Sequence, residues 1–171
     1  MLGGLRPGTT DVMSTSLRED ILHHWHEVHK ITGQVFSVEG AMPEGFIYDT
    51  EPACRAVVTV AEIKSDKIFP FFKSIQSAFY VEQVDVTNSD NLAALAEMQG
   101  ITRTNFLADF QSDLIKEKTV QHFQAARQAG VTGFPSLVLQ NGSDYQFIAK
   151  GYRPFDQLKL LVENWLEQYP D

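Results

Sequence analysis

From Ser16 to Gly33, Ile21, Leu22, Trp25, Val28 and His29 fall along one side of a helix, and Ser16 with Glu19 has the spacing of a capping box. The pattern predicts a first helix that Gly33 ends. The stretch from Gly40 to Gly45, with Pro43 inside it, reads as a loop, and Phe46-Ile47-Tyr48 is an apolar run too short to classify. Asp49-Thr50-Glu51-Pro52 combines a capping side chain, an acid and an early proline, so a second helix should run from here to about Ile63. Phe69 to Val81 has helical spacing and reads as a buried helix, with Phe69, Phe71, Phe72 and Phe79 assigned to the core. Asn88 or Ser89 opens a fourth helix that carries Leu92, Leu95, Ala96 and Met98 inward until Gly100 stops it. Thr102 to Phe110 and Ser112 to Ala129 complete the helical part.

After Gly130 the period changes. Ser136 to Leu139 and Tyr145 to Ala149 flank Asn141-Gly142-Ser143-Asp144, the pattern of two antiparallel strands around a glycine turn. A last helix follows Gly151-Tyr152-Arg153-Pro154, with Leu158, Leu161, Val162, Trp165 and Leu166 on its inner side. An isolated hairpin is marginal in water and generally needs a third strand, so the sheet looks incomplete. The first ten residues, with three glycines and a proline, read as a connector.

Composition narrows the partners. The 171 residues suit one compact domain, or one with a large insertion, and 43% hydrophobic against 21% charged residues is ordinary globular usage. A net charge of −8 argues against nucleic acid and anionic membrane surfaces, both of which call for a basic face. One cysteine, Cys54, excludes a disulfide within the chain and a zinc site built on several thiolates. No apolar run is long enough to cross a membrane, and the opening lacks the basic start and apolar stretch of an export signal, so the cytoplasm is the expected location.

The most specific segment is Gly130-Val131-Thr132-Gly133-Phe134-Pro135 before the first strand. A proline there cannot donate to a ladder, and a cis Phe-Pro bond would leave neighbouring backbone groups free to pair with an extended peptide; the alternative is a trans proline that merely starts a strand. Cys54, near the start of helix two and beside Arg55, sits where a thiol pKa is ordinarily lowered, and the competing reading is a small packed side chain. Asp49 and Arg55 either orient a substrate through charged hydrogen bonds or pair locally while Thr50 caps the helix. His23, His24, His26 and His29 lack a third converging ligand type, so solvated or partly packed histidines, and no metal, are expected.

The order helix, Gly-Val-Thr-Gly-Phe-Pro, hairpin and terminal helix resembles the C-terminal half of a thioredoxin fold, with Pro135 matching the cis-proline of that superfamily. The preceding helical block resembles the insertion of its DsbA-like branch. Asp49-Thr50-Glu51-Pro52-Ala53-Cys54-Arg55 is similar to the Asn-Thr-x-x-Ala-x-Arg helix entrance of FrnE-like oxidoreductases, hydroxychromene-carboxylate isomerases and kappa glutathione transferases, with Asp49 replacing Asn. Gly3-Gly4-Leu5-Arg6-Pro7-Gly8 fits the protein-disulfide-isomerase-like members of this group.

The resemblance implies an α/β, thioredoxin-like (DsbA-like) fold with a large helical insertion and a thioredoxin half incomplete at its N-terminus. Residues 1–10 would be a strand or connector remnant, 11–115 the helical insertion, and 116–171 the second thioredoxin half. In the family, a Cys-x-x-Cys motif opens the first helix, where the helix dipole stabilises the attacking thiolate. No such motif occurs in these residues, and a β-α-β unit of about 30 residues or more is expected to be missing from the front. The expected function is therefore that of a thiol-disulfide oxidoreductase homologue without dithiol turnover and without a cofactor. Thr132, Gly133, Phe134 and Pro135 would bind substrate, with Asp49, Thr50 and Arg55 at the rim. The implied partners are a thiol- or disulfide-containing peptide, or a small thiol such as glutathione. The alternatives are a noncatalytic module that binds peptides or forms a homodimer through an exposed strand edge, and a glutathione-dependent isomerase or transferase.

Overall fold

The computed structural model describes residues 2–169, which form two compact units, Leu2–Gln121 and a second beginning at His122. The first unit is helical. Helix α1 (Thr15–Thr32) begins two residues earlier than the Ser16–Glu19 box implies: Ser14 is the cap, its Oγ accepting from the Leu17 N–H at 3.2 Å. The correction has a local cause, since Ser14 keeps the extended backbone of a capping residue while Ser16 already lies inside the helix. Gly33 closes α1 with φ 72°, a left-handed position that costs glycine no Cβ clash. Trp25 is the buried residue of this helix. Val28 and His29 face water instead of the core, because the buried stripe runs through Ile21, Leu22 and Trp25.

Helix α2 (Glu51–Ile63) begins and ends as its sequence predicts, and buries Ala56, Val57, Val58 and Val60. A single 3-10 turn, Ser65–Lys67, leads into α3 (Ile68–Tyr80). Here the aromatic run divides: Phe71, Ile75, Ala78 and Phe79 are buried, whereas Phe69 is 83% and Phe72 41% exposed. Positions 71, 75, 78 and 79 share one face of a 3.6-residue period, 72 lies at its margin and 69 across the helix, so hydrophobicity alone overcounts the core. Helices α4 (Ser89–Glu97, capped by Asn88) and α5 (Arg103–Gln111, capped by Thr102) pack against α2 and against each other. Met98, expected inside, is 74% exposed just beyond the end of α4.

The core of this unit has an aliphatic part around Val60, Leu92 and Ala96 and an aromatic part in which Trp25 contacts Phe36, Phe79 and Tyr80. Phe46 and Tyr48, in the unclassified run, are irregular backbone whose rings stack on Phe79. Burial pushes the Tyr48 and Tyr80 phenols above their ordinary pKa.

Helix α6 (Asp113–Gln128) runs across residue 121. After it, Gly130 adopts φ 78°, a left-handed position that favours glycine. Strands β1 (Ser136–Asn141) and β2 (Asp144–Lys150) form an antiparallel hairpin, with Asn141 opposite Asp144 and a bulge near Leu137 and Val138. Among the described residues the sheet has these two strands only. Helix α7 (Phe155–Gln168) contacts β2 and half-buries Leu158, Leu161, Val162 and Trp165. Leu166, expected on the inner side, is 54% exposed.

Candidate functional site

The entrance to α2 brings together most of the sequence candidates in the first unit. Asp49 Oδ1 accepts the Glu51 N–H at 2.8 Å, so it satisfies one of the free amides that begin the helix. The same oxygen accepts the Gly8 N–H at 2.7 Å. Thr50, the residue at the cap position, makes no side-chain cap; its Oγ1 accepts the Arg6 N–H at 3.2 Å, and its own N–H donates to the Arg6 carbonyl at 3.5 Å. Asp49 and Thr50 thus hold the Gly3-Gly4-Leu5-Arg6-Pro7-Gly8 segment against the helix. The glycine-rich start is packed irregular chain, without a strand among its described residues.

Arg55 is equally committed. Its Nε lies 2.8 Å from Glu51 Oε1 and its Nη2 3.2 Å from Glu51 Oε2, one helical turn away. Nη1 donates to the Phe110 carbonyl at 3.0 Å, and the guanidinium sits 4.0 Å above the Phe110 ring. A planar fork with several donors can do all of this at once. The local partner of Arg55 is therefore Glu51 rather than Asp49. Sequence reasoning passed over that acid, although its separation of four residues from Arg55 is the ordinary spacing of a helical ion pair.

Cys54 does not have the environment of an attacking thiol. Burial, and then the nearby Glu51 and Asp49 carboxylates, push it up to about 11. The expected lowering by Arg55 and by the helix start fails for a physical reason: Arg55 is neutralised by Glu51, while the carboxylates that cap and brace the helix start disfavour a thiolate. The Sγ points towards the Gly3 carbonyl, 4.0 Å away.

In the second unit, the Phe134–Pro135 bond is cis. Thr132, Phe134 and Pro135 are exposed and Gly133 is half-buried. Ser136 Oγ donates to the Gly133 carbonyl at 2.7 Å, and the Gly151 N–H donates to the Pro135 carbonyl at 2.8 Å, tying the loop to the far end of the hairpin. The backbone N–H groups of Thr132, Gly133 and Phe134 have no protein partner among the described residues. Such a stretch can hydrogen-bond an extended chain laid beside it. Asp49, Thr50, Cys54 and Arg55 lie in the first unit and Thr132 to Pro135 in the second.

The histidines of α1 are exposed, and among the described residues no three His, Cys, Asp or Glu side chains gather as a metal centre. His26 and His29 instead rim a groove of about 350 Å³ that also takes in Trp25, Val35, Phe36 and Val38, a feature that sequence spacing did not reveal. No helix among the described residues is long and apolar enough to cross a membrane.

A helix, a proline-terminated loop, a hairpin and a closing helix, preceded by a helical block, are the parts of a thioredoxin-type fold with a helical insertion. The chain belongs to the DSBA-like thioredoxin domain family, whose model matches residues 22–163. It is similar to a putative protein disulfide isomerase from Nitrosomonas europaea, at 50% identity and a TM-score of 0.92, over 95% of this chain and 80% of that one. It shares its fold with the cytosolic disulfide reductase DsbM from Pseudomonas aeruginosa, at 21% identity and a TM-score of 0.79, over 97% of this chain and 82% of that one. The structure of DsbM with GSH gives 21% identity and 0.77, over 96% and 82%. No curated protein matches this sequence.

Proposed function

We propose that these residues form the partner-docking part of a DsbA-type thiol-disulfide oxidoreductase and by themselves carry no dithiol turnover. One observation carries the reading: the exposed Thr132-to-Pro135 loop, with three successive backbone N–H groups that have no protein partner among the described residues. An extended peptide bearing a thiol or disulfide is the partner that such a loop suits, through main-chain hydrogen bonds that are indifferent to its side chains. Turnover needs an attacking thiolate and a second thiol to resolve the mixed disulfide. The single thiol here is half-buried and pushed up to about 11, which supports docking without exchange. No cofactor enters this reading, and the cytoplasm is the compartment that suits a lone unpaired thiol.

A small thiol such as glutathione is the other partner in this class, and the GSH-bound DsbM structure supports testing it. At the α2 entrance it would meet Asp49, Thr50 and Arg55, in competition with the contacts that these side chains already make. The test is amide NMR titration of the chain with an extended disulfide peptide and, separately, with glutathione, alongside an insulin-reduction assay. Peptide-induced shifts at Thr132 to Phe134, weakened at least roughly fivefold by Thr132→Pro, which removes one free N–H, are expected. Insulin reduction at the rate of a dithiol enzyme, or no shift in this loop with either probe, refutes the proposal.

A second reading, assembly by strand pairing, is favoured by the unpaired outer edges of the two-stranded sheet among the described residues. Sedimentation over a range of concentrations decides it: a dimer whose β1 or β2 amides gain protection supports strand pairing, and a monomer throughout excludes it.

A further inference from the structure

The docking loop has uncommitted cations around it. In the second unit Arg127, Lys150 and Arg153 are exposed, and among the described residues none of them makes an ion pair or donates a side-chain hydrogen bond. The remaining lysine there, Lys159, faces Glu163 at 3.8 Å one turn along α7. In the first unit Lys73 is the one basic side chain left in that condition among the described residues. Acids are sparse near the loop. Asp144 pairs with Asn141 at the turn, whereas Ser136 pairs with Lys150 at the loop end of the hairpin, about 17 Å away at the usual strand rise. That exceeds the Debye length of about 8 Å at physiological ionic strength. Asp156, in the first turn of α7, is exposed and makes no ion pair among the described residues. A chain of net charge −8 thus carries a local excess of positive charge where its loop amides are open.

Lys150 is tied to both ends of this loop. It stands opposite Ser136, whose hydroxyl donates to the Gly133 carbonyl at 2.7 Å. Side chains of such a cross-strand pair share one face, with Cβ atoms about 4.5–5.5 Å apart. Its ammonium lies 4.2 Å from the centre of the Phe147 ring, and the edge of that ring is 3.4 Å from where a Cβ on Gly130 would stand. The ring attracts the charge but takes no strong hydrogen bond, so the ammonium keeps its N–H donors open. The contact also narrows the freedom of a long side chain, so less order is lost when an anion binds there. We propose that Lys150 selects an acidic partner: an extended peptide lying on the Thr132, Gly133 and Phe134 amides places an Asp or Glu carboxylate on the Lys150 ammonium. The proposal rests on the docking role of that loop and adds the side-chain selectivity that main-chain hydrogen bonds lack. Arg127 and Arg153 contribute to the field that draws such a peptide in.

The test uses the full chain and three extended peptides of equal length that differ only in carrying Glu, Gln or Lys on either side of an S-methylated cysteine. Affinities are read by NMR titration at the Thr132, Gly133 and Phe134 amides. The Glu peptide should bind tightest and the Lys peptide weakest, with Glu ahead of Gln by roughly 2- to 5-fold, the range of a solvent-exposed ion pair. The margin should shrink in high salt, and Lys150→Met should remove it. Lys150→Glu should put the Lys peptide first. Equal affinity of the three peptides for the unmodified chain leaves the docking role standing and overturns the selectivity, whatever the fate of the variants. A Glu preference that survives Lys150→Met overturns its assignment to Lys150. Failure of all three peptides to shift these amides refutes the docking role itself, and the selectivity with it.

Discussion

Replacing Arg55 with methionine keeps an unbranched stem of similar path and removes every polar contact of the guanidinium. The side chain is 16% exposed and its partner Glu51 24%, so solvent replaces these contacts only in part. The charged bond to the Phe110 carbonyl is worth about 1.5–3 kcal/mol. The ion pair with Glu51 adds about 0.5–1 kcal/mol. The contact with the Phe110 ring adds about 0.5–1 kcal/mol. These contributions share one side chain and do not sum, so the expected cost of Arg55→Met is about 2–4 kcal/mol. Arg55→Lys retains the charge but only a point-like donor, and should cost about 1–2 kcal/mol. A double-mutant cycle with Glu51→Gln isolates the ion pair at about 0.5–1 kcal/mol of coupling. The assay is urea denaturation followed by the fluorescence of Trp25, which is buried in the core of this unit, in a Trp165→Phe background. An unchanged slope with a lower midpoint is the expected form. A cost of Arg55→Met below about 0.5 kcal/mol, or a lysine variant indistinguishable from the parent, would refute the view that this guanidinium clamps α2 to the end of α5.

Two further outcomes follow from local geometry. The Cys54 thiol rises from 9.0 to about 11 on folding, so the folded state keeps its proton longer than the unfolded chain; stability is unaffected below pH 9 and falls as pH rises from 9 towards 11. The loss is on the order of 2–3 kcal/mol, and it should be absent from Cys54→Ser in alkaline urea titrations; a parent and variant with parallel pH profiles would contradict it. Ser14→Ala should cost about 0.5–2 kcal/mol in thermal or urea unfolding and Ser16→Ala a few tenths at most, and the reverse order would return the helix start to Ser16.

The limits of sequence reasoning appear most clearly at α3 and at the α2 entrance. The period of the apolar residues locates α3 to within a residue, but residue type alone assigns Phe69 and Phe72 to the core, and both are exposed. At α2 the acid and the early proline announced the helix start correctly. Which side chain capped it, and that Thr50 bonds a residue 44 positions earlier, depended on where Arg6 came to lie.

What the amino-acid order determined by itself is local or compositional: seven helical segments and a hairpin among the described residues, the glycine at position 33 that ends α1, and the lone thiol. These rest on backbone preferences and on a hydrophobic period spanning a few residues, both of which are written in adjacent positions. Tertiary structure alone decided the environments: the raised Cys54 thiol, the Glu51–Arg55–Phe110 clamp, and the Thr132-loop amides without a protein partner among the described residues. Each depends on which distant group supplies a charge, excludes water or occupies a lone pair, and those distances are set only when the chain has packed.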